Sequence, residues 1–122
     1  MKLCLIVDDA PVIRKVAAHI MSELGYMTLQ AATGTEAIRI CREEAPSLVI
    51  LDWMIDDMDV LDAIRELRAA PKAVMPKIII STTANDPSFV SKAFAAGATD
   101  ILIKPFDRLS LEEKIRDVRE AA

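Results

Sequence analysis

Two hydrophobic periods alternate along the chain. Continuous runs of Ile, Val and Leu occur at Leu3 to Val7, Leu48 to Leu51, Ile78 to Ile80 and Ile101 to Ile103. Runs of this kind, without polar alternation, predict strands buried on both faces, as in a parallel sheet. Thr28 to Ala31 is a more polar strand that suits a sheet edge. Between the runs, apolar residues recur at helical spacing. Ile13, Val16, Ala17, Ile20, Met21 and Leu24 share one helical face, and Gly25 stands where that helix stops. Thr33 with Glu36 predicts a capping box that opens a second helix through Ile38, Cys41 and Ala45. Asp59 is placed to cap a third helix burying Val60, Leu61, Ile64 and Leu67. Asp86-Pro87 joins an N-cap to a proline at the first helical position. The helix that follows carries Phe89, Val90, Ala93 and Phe94 and ends near Gly97. Ser110 with Glu113 predicts a second capping box, opening a last helix on Leu111, Ile115 and Val118. The alternation reads as a (βα)₅ α/β fold, and right-handed crossovers favour a doubly wound five-stranded parallel sheet.

At 122 residues the chain has room for one domain, expected to span 1–122, with no internal repeat and no linker. Hydrophobic residues make up 52%, which predicts a packed core rather than disorder. A formal charge of -4 leaves no basic stripe for phosphate backbones, so direct nucleic-acid binding is not expected. The apolar runs are about five residues, against the roughly 20 needed to span a bilayer. The start of the chain does not read as a signal peptide either. Cys4 lies in a strand-like run and Cys41 on a helical face, which predicts two reduced, buried thiols in a cytoplasmic protein.

Chemistry-bearing residues gather just after the strands. The first strand is followed by Asp8-Asp9, the third by Asp52, the fourth by Ser81-Thr82-Thr83 and the fifth by Lys104-Pro105. In a doubly wound sheet these carboxyl ends form the ligand crevice. Any one of these aspartates could be a turn former or a helix cap. Together they form a complementary set: three carboxylates, a hydroxyl and an ammonium. Neighbouring carboxylates repel and call for a cation, and an all-oxygen set suits Mg²⁺. A carboxylate beside such a cation can act as nucleophile towards phosphorus, with a lysine neutralising the phosphoryl oxygens.

These motifs, in this order and over the whole chain from Leu3-Cys4-Leu5-Ile6-Val7-Asp8-Asp9 onwards, resemble the receiver domains of bacterial two-component response regulators. The likeness extends to the single-domain chemotaxis type. It implies a flavodoxin-like strand order 2-1-3-4-5 and a phosphorylation-dependent switch that catalyses only its own phosphorylation and dephosphorylation. Asp52, in Leu51-Asp52-Trp53, matches the phosphoacceptor. The implied Mg²⁺ ligands are Asp9 directly, Asp8 through water, Asp52 and the backbone carbonyl of Met54, with Mn²⁺ able to substitute. Thr82 matches the switch hydroxyl. Lys104, in Ile103-Lys104-Pro105-Phe106, matches the phosphoryl-contacting lysine, followed by a cis peptide bond. The implied donor is a phosphohistidine on a sensor histidine kinase or phosphotransfer protein. The implied output is a target protein bound on the face of the fourth helix, fifth strand and fifth helix. Lys92, Phe106, Leu109 and Lys114 are its candidate contacts. His19, in the first helix, is read as a surface or packing residue.

Several positions depart from the family pattern. Asp56 replaces a proline and is read as a solvated loop residue. Val60 replaces a glycine, which implies either strain or a different loop conformation. Met54 and Ala84 carry no strong hydrogen-bonding group where the family orients hydrolytic water, so slow self-dephosphorylation is expected. Ile101 stands where many receivers carry a rotating aromatic residue. A dehalogenase-type enzyme would need aspartate at position 54, and a dinucleotide-binding protein would need a glycine-rich turn after the first strand. The rival that remains is a degenerate receiver acting as a phosphorylation-independent binding module.

Overall fold

The computed structural model describes residues 2–69, 76–83 and 86–120. The elements are β1 (Leu3–Val7), α1 (Pro11–Glu23), β2 (Met27–Ala31), α2 (Gly34–Glu44) and β3 (Leu48–Asp52). They continue as α3 (Val60–Ala69), β4 (Lys77–Thr82), α4 (Pro87–Ala96), β5 (Asp100–Ile103) and α5 (Arg108–Glu120). The strands form one parallel sheet in the order β2-β1-β3-β4-β5. Strand order reverses between β1 and β3, and register pairs Val7 with Leu51 and Asp52 with Ser81.

The apolar runs of β1, β3 and β4 are explained by two cores, one on each face of the sheet. Strand β5 instead lies at an edge and leaves Ile101 half-buried and Ile103 exposed, against the expectation of double burial. Leu5, Val7, Val49, Leu51, Ile78 and Ile80 face α2, α3 and α4 through Ile38, Cys41, Ile64, Leu67 and Ala93. The alternate residues Cys4, Ile6, Leu48, Ile50, Ile79 and Leu102 face α1 and α5 through Ala17, Met21, Leu111, Ile115 and Val118. Each large side chain buried this way contributes about 1.5–3 kcal/mol. Strand β2, in which only Ala31 is buried, lies at an edge as its polarity predicts. Both cysteines are buried, in different cores.

Most helix starts follow the sequence signals. Thr33 Oγ1 accepts from Glu36 N at 3.1 Å, while Glu36 Oε1 accepts from Ala32 N at 3.0 Å. Asp59 accepts from Leu61 N at 2.8 Å, and Asp86 accepts from Ser88 N at 3.0 Å. Three expectations need correction. The cap of α5 is Asp107, which accepts from Ser110 N at 2.8 Å while Ser110 Oγ accepts from Asp107 N at 2.9 Å. Ser110 is therefore the returning member of a box that opens three residues earlier than expected. Ile13 and Val16 are exposed, at 38% and 50%, because the first turns of α1 stand at the rim of the sheet. There they line a hollow with Val12, Pro105 and Phe106. Finally, α2 ends at Glu44, and exposed Ala45 is its left-handed C-cap with φ 46°.

Candidate functional site

Strands β1 and β3 are neighbours that end level, and this brings Asp8 and Asp9 beside Asp52. Oxygens of these three carboxylates all lie within 4.8 Å of one another. Asp8 and Asp52 are buried, at 3% and 4% exposure, while Asp9 is exposed. Two strands away, β5 delivers Lys104, whose backbone N–H donates to Thr82 O at 2.8 Å. Its side chain crosses back to the carboxylates, with Nζ donating to Asp52 Oδ1 at 2.9 Å and Asp8 Oδ2 at 3.0 Å. The Lys104–Pro105 peptide bond is cis.

Asp8 is fixed at several atoms. Its Oδ1 accepts from Ala10 N at 2.9 Å, and its backbone N–H donates to Ala31 O at 3.1 Å. Arg14, on α1, donates from Nη1 to the Asp8 carbonyl at 2.7 Å and from Nε to Gln30 Oε1 at 3.1 Å. Sequence reading did not single out Arg14, because it follows from the fold that the first turn of α1 returns past the end of β1.

The electrostatics follow from burial and crowding. Burial pushes the Asp52 carboxyl above its ordinary range; the Lys104 hydrogen bond opposes this, and the charges of Asp8 and Asp9 reinforce it. Burial pulls the Lys104 ammonium down, but its hydrogen bonds to Asp52 and Asp8 outweigh that and hold it above its ordinary value. Three ionised carboxylates and one ammonium leave a charge of -2, which one divalent cation would balance. The donors are hard oxygens, as Mg²⁺ requires. The ammonium already bridging two of them shows that the pocket accommodates positive charge. By chemistry and charge the residues fit that ion.

Thr82, the last residue of β4, is fully buried and pairs with Ile103 of β5. Met54 has an exposed side chain, at 60%, and Ala84 lies outside the described residues. Ile101 is half-buried and packs against the α2–α4 core, so it serves there as a packing residue. The side chain of His19 is 76% exposed and 3.6 Å from Glu23, a surface residue as expected. Trp53 N–H donates to Ser81 O at 3.0 Å, and its ring meets Phe89 of α4 edge-on at 5.8 Å.

The loop after β3 answers one question that the sequence left open. Val60 does not have positive φ; it is the first residue of α3, with its side chain buried. Its replacement of glycine therefore carries no left-handed strain. Asp56 is exposed and is not a member of the acidic cluster. Its neighbour Asp57, passed over in the sequence, accepts from Gly34 N, Thr35 N and Thr35 Oγ1. No local signal could have revealed contacts over 22 and 23 residues.

Residues 4–116 match the response regulator receiver domain family. Chemotaxis protein CheY of Thermotoga maritima is 34% identical over 119 residues, covering 96% of this chain and 97% of that protein. A probable transcriptional regulator, ycf27, of Porphyridium aerugineum is 37% identical over 114 residues, 93% of this chain but 46% of the relative. The chain thus spans about half the length of the transcriptional-regulator relatives it matches. The chemotaxis response regulator CheY4 of Vibrio cholerae superposes with a TM-score of 0.91 at 28% identity, covering 97% of this chain and 98% of that one. With the parallel sheet and its acidic crevice, these matches place the chain in the response regulator receiver domain family of two-component signalling.

Proposed function

We propose that this receiver domain, spanning 1–122, accepts a phosphoryl group on Asp52. The observation that carries the reading is the buried Asp52 carboxylate, held by the Lys104 ammonium at 2.9 Å beside the oxygens of Asp8 and Asp9. Asp8, Asp9, Asp52 and the Met54 carbonyl would hold Mg²⁺ (or Mn²⁺). When bound, the ion neutralises phosphoryl oxygens and lets the crowded carboxylates remain ionised. The residues supply the remainder. Asp52 is the nucleophile: its free Oδ forms a bond to phosphorus as the bond from phosphorus to the donor's imidazole nitrogen breaks. Lys104 turns from a ground-state partner of Asp52 into a counter-charge for the transferred group. Thr82, the last residue of β4, donates its hydroxyl to a phosphoryl oxygen, which pulls the end of β4 towards the transferred group.

The donor is a sensor histidine kinase or phosphotransfer protein, and the setting is cytoplasmic. Among the described residues no helix is long and apolar enough to cross a membrane. The chain catalyses only its own phosphorylation and dephosphorylation, and it contacts no nucleic acid itself. Its output is a target protein on the α4-β5-α5 face. Leu109 is 63% exposed there, Phe94 and Ile103 are partly exposed, and Lys114 pairs with Asp100 at 3.3 Å. The Trp53–Phe89 contact links the phosphoacceptor loop to α4, a route that does not need an aromatic residue at Ile101.

Intact-mass spectrometry after incubation with acetyl phosphate and Mg²⁺ tests the reading. A labile phosphoryl adduct, absent from Asp52→Asn and from samples with chelator, is expected. A folded protein that takes no adduct at saturating Mg²⁺ would instead be a phosphorylation-independent binding module.

A further inference from the structure

We propose that Asp57 is a positioning residue for the metal site: it clamps the loop after β3 onto the first turn of α2 and so fixes the Met54 carbonyl. This rests on the reading of Asp52 as a metal-dependent phosphoacceptor. A ligand supplied by the backbone is only as well placed as the backbone itself. Residues 53–59 have no regular structure, and at their ends Trp53 N–H bonds Ser81 O and Asp59 caps α3. Between these anchors, Asp57 provides the hold. Its Oδ1 accepts from Gly34 N at 2.8 Å, and its Oδ2 accepts from Thr35 N at 2.9 Å and Thr35 Oγ1 at 2.6 Å.

These contacts cap the first turn of α2. Thr33 takes Glu36 N through its side chain, and Asp57 takes the amides of Gly34 and Thr35, which have no partner within the helix. A second, apolar half of the clamp lies beside it. A Cβ added to Gly34 would stand 2.5 Å from Met58 Sδ and 2.9 Å from Ile55 Cδ1. A side chain at position 34 would therefore push Met58 and the buried Ile55 from where they seat on α2. Met54 precedes Ile55 directly, so the clamp grips the loop next to the carbonyl it positions.

Isothermal titration of the whole chain with Mg²⁺, together with thermal unfolding without metal, separates positioning from stability. Asp57→Ala should weaken Mg²⁺ binding by about tenfold, the usual scale for groups that orient metal ligands. Asp57→Asn, which keeps an acceptor for one amide, should recover part of that loss. Gly34→Ala should weaken binding through the apolar half. Thr33→Ala supplies the control: it removes the cap of α2 without touching the loop, so it should lower the Tm and leave Mg²⁺ affinity unchanged. The proposal is overturned if Asp57→Ala and Asp57→Asn both bind Mg²⁺ within about twofold of wild type. It is equally overturned if Thr33→Ala weakens binding as much as Asp57→Ala. Folded wild type that binds no Mg²⁺ would remove the phosphoacceptor reading itself, and this proposal with it.

Discussion

At the residue scale, position in the sheet gives ordinary side chains unusual surroundings. Lys104 shares its ammonium between two buried carboxylates, so Lys104→Ala leaves Asp8 and Asp52 facing each other without a counter-charge. Phosphorylation of that variant by acetyl phosphate should slow by about a hundredfold, the usual cost of losing a positioned charge donor. Burial pushes the Cys4 thiol up to about 12, and Cys41 is fully buried. Both should therefore resist alkylation in the native state at mildly alkaline pH and react only on unfolding, as counted by thiol titration. Asp57 is held below its ordinary 3.8, chiefly by the Thr35 hydroxyl and then by the amides of Thr35 and Gly34. A depressed carboxylate lends its stability in full above the unfolded-state value and loses it as pH falls through the folded-state value. The stability advantage of wild type over Asp57→Asn should accordingly be complete near neutrality and shrink below about pH 4, as followed by urea unfolding.

At the scale of elements, local chemistry fixes most starts and tertiary packing fixes the rest. Thr33→Ala should cost about 1 kcal/mol by removing the side-chain cap of α2. Ile64, fully buried on α3 against the sheet, should cost about 2–5 kcal/mol as Ile64→Ala by chemical denaturation. The runs at Leu3–Val7 and Leu48–Asp52 were legible because double burial permits no polar alternation. Asp107 was overlooked as a cap because Ser110 and Glu113 present the same motif three residues later, and only the observed bonds distinguish them. Ile13 and Val16 fit the helical period but not the burial, since periodicity does not reveal where the sheet beneath a helix ends. Asp8, Asp9, Asp52 and Lys104 were legible as a cluster because each ends a strand or follows one within two residues. Arg14 and Asp57 were not, because their partners are set by how loops and helices meet.

At the scale of the molecule, the switch point between β1 and β3 concentrates negative charge, and β5 returns one lysine to it. The loop after β3 leads from that site through Trp53 to Phe89 of α4, and through Asp57 to α2. Slow phosphoryl loss is the property expected of a chain with methionine two positions after Asp52 and alanine two positions after Thr82. Met54→Asn together with Ala84→Glu should quicken decay of the adduct, as measured by mass spectrometry over time; unchanged decay would remove those positions from the account. The most direct test of the central claim uses Trp53, the single tryptophan, which adjoins Asp52. Its fluorescence is followed during Mg²⁺ titration and then on addition of beryllofluoride. The account predicts a saturable change with Mg²⁺ and a second change with beryllofluoride that is lost in Asp52→Asn. A second change that persists in Asp52→Asn would contradict Asp52 as the acceptor.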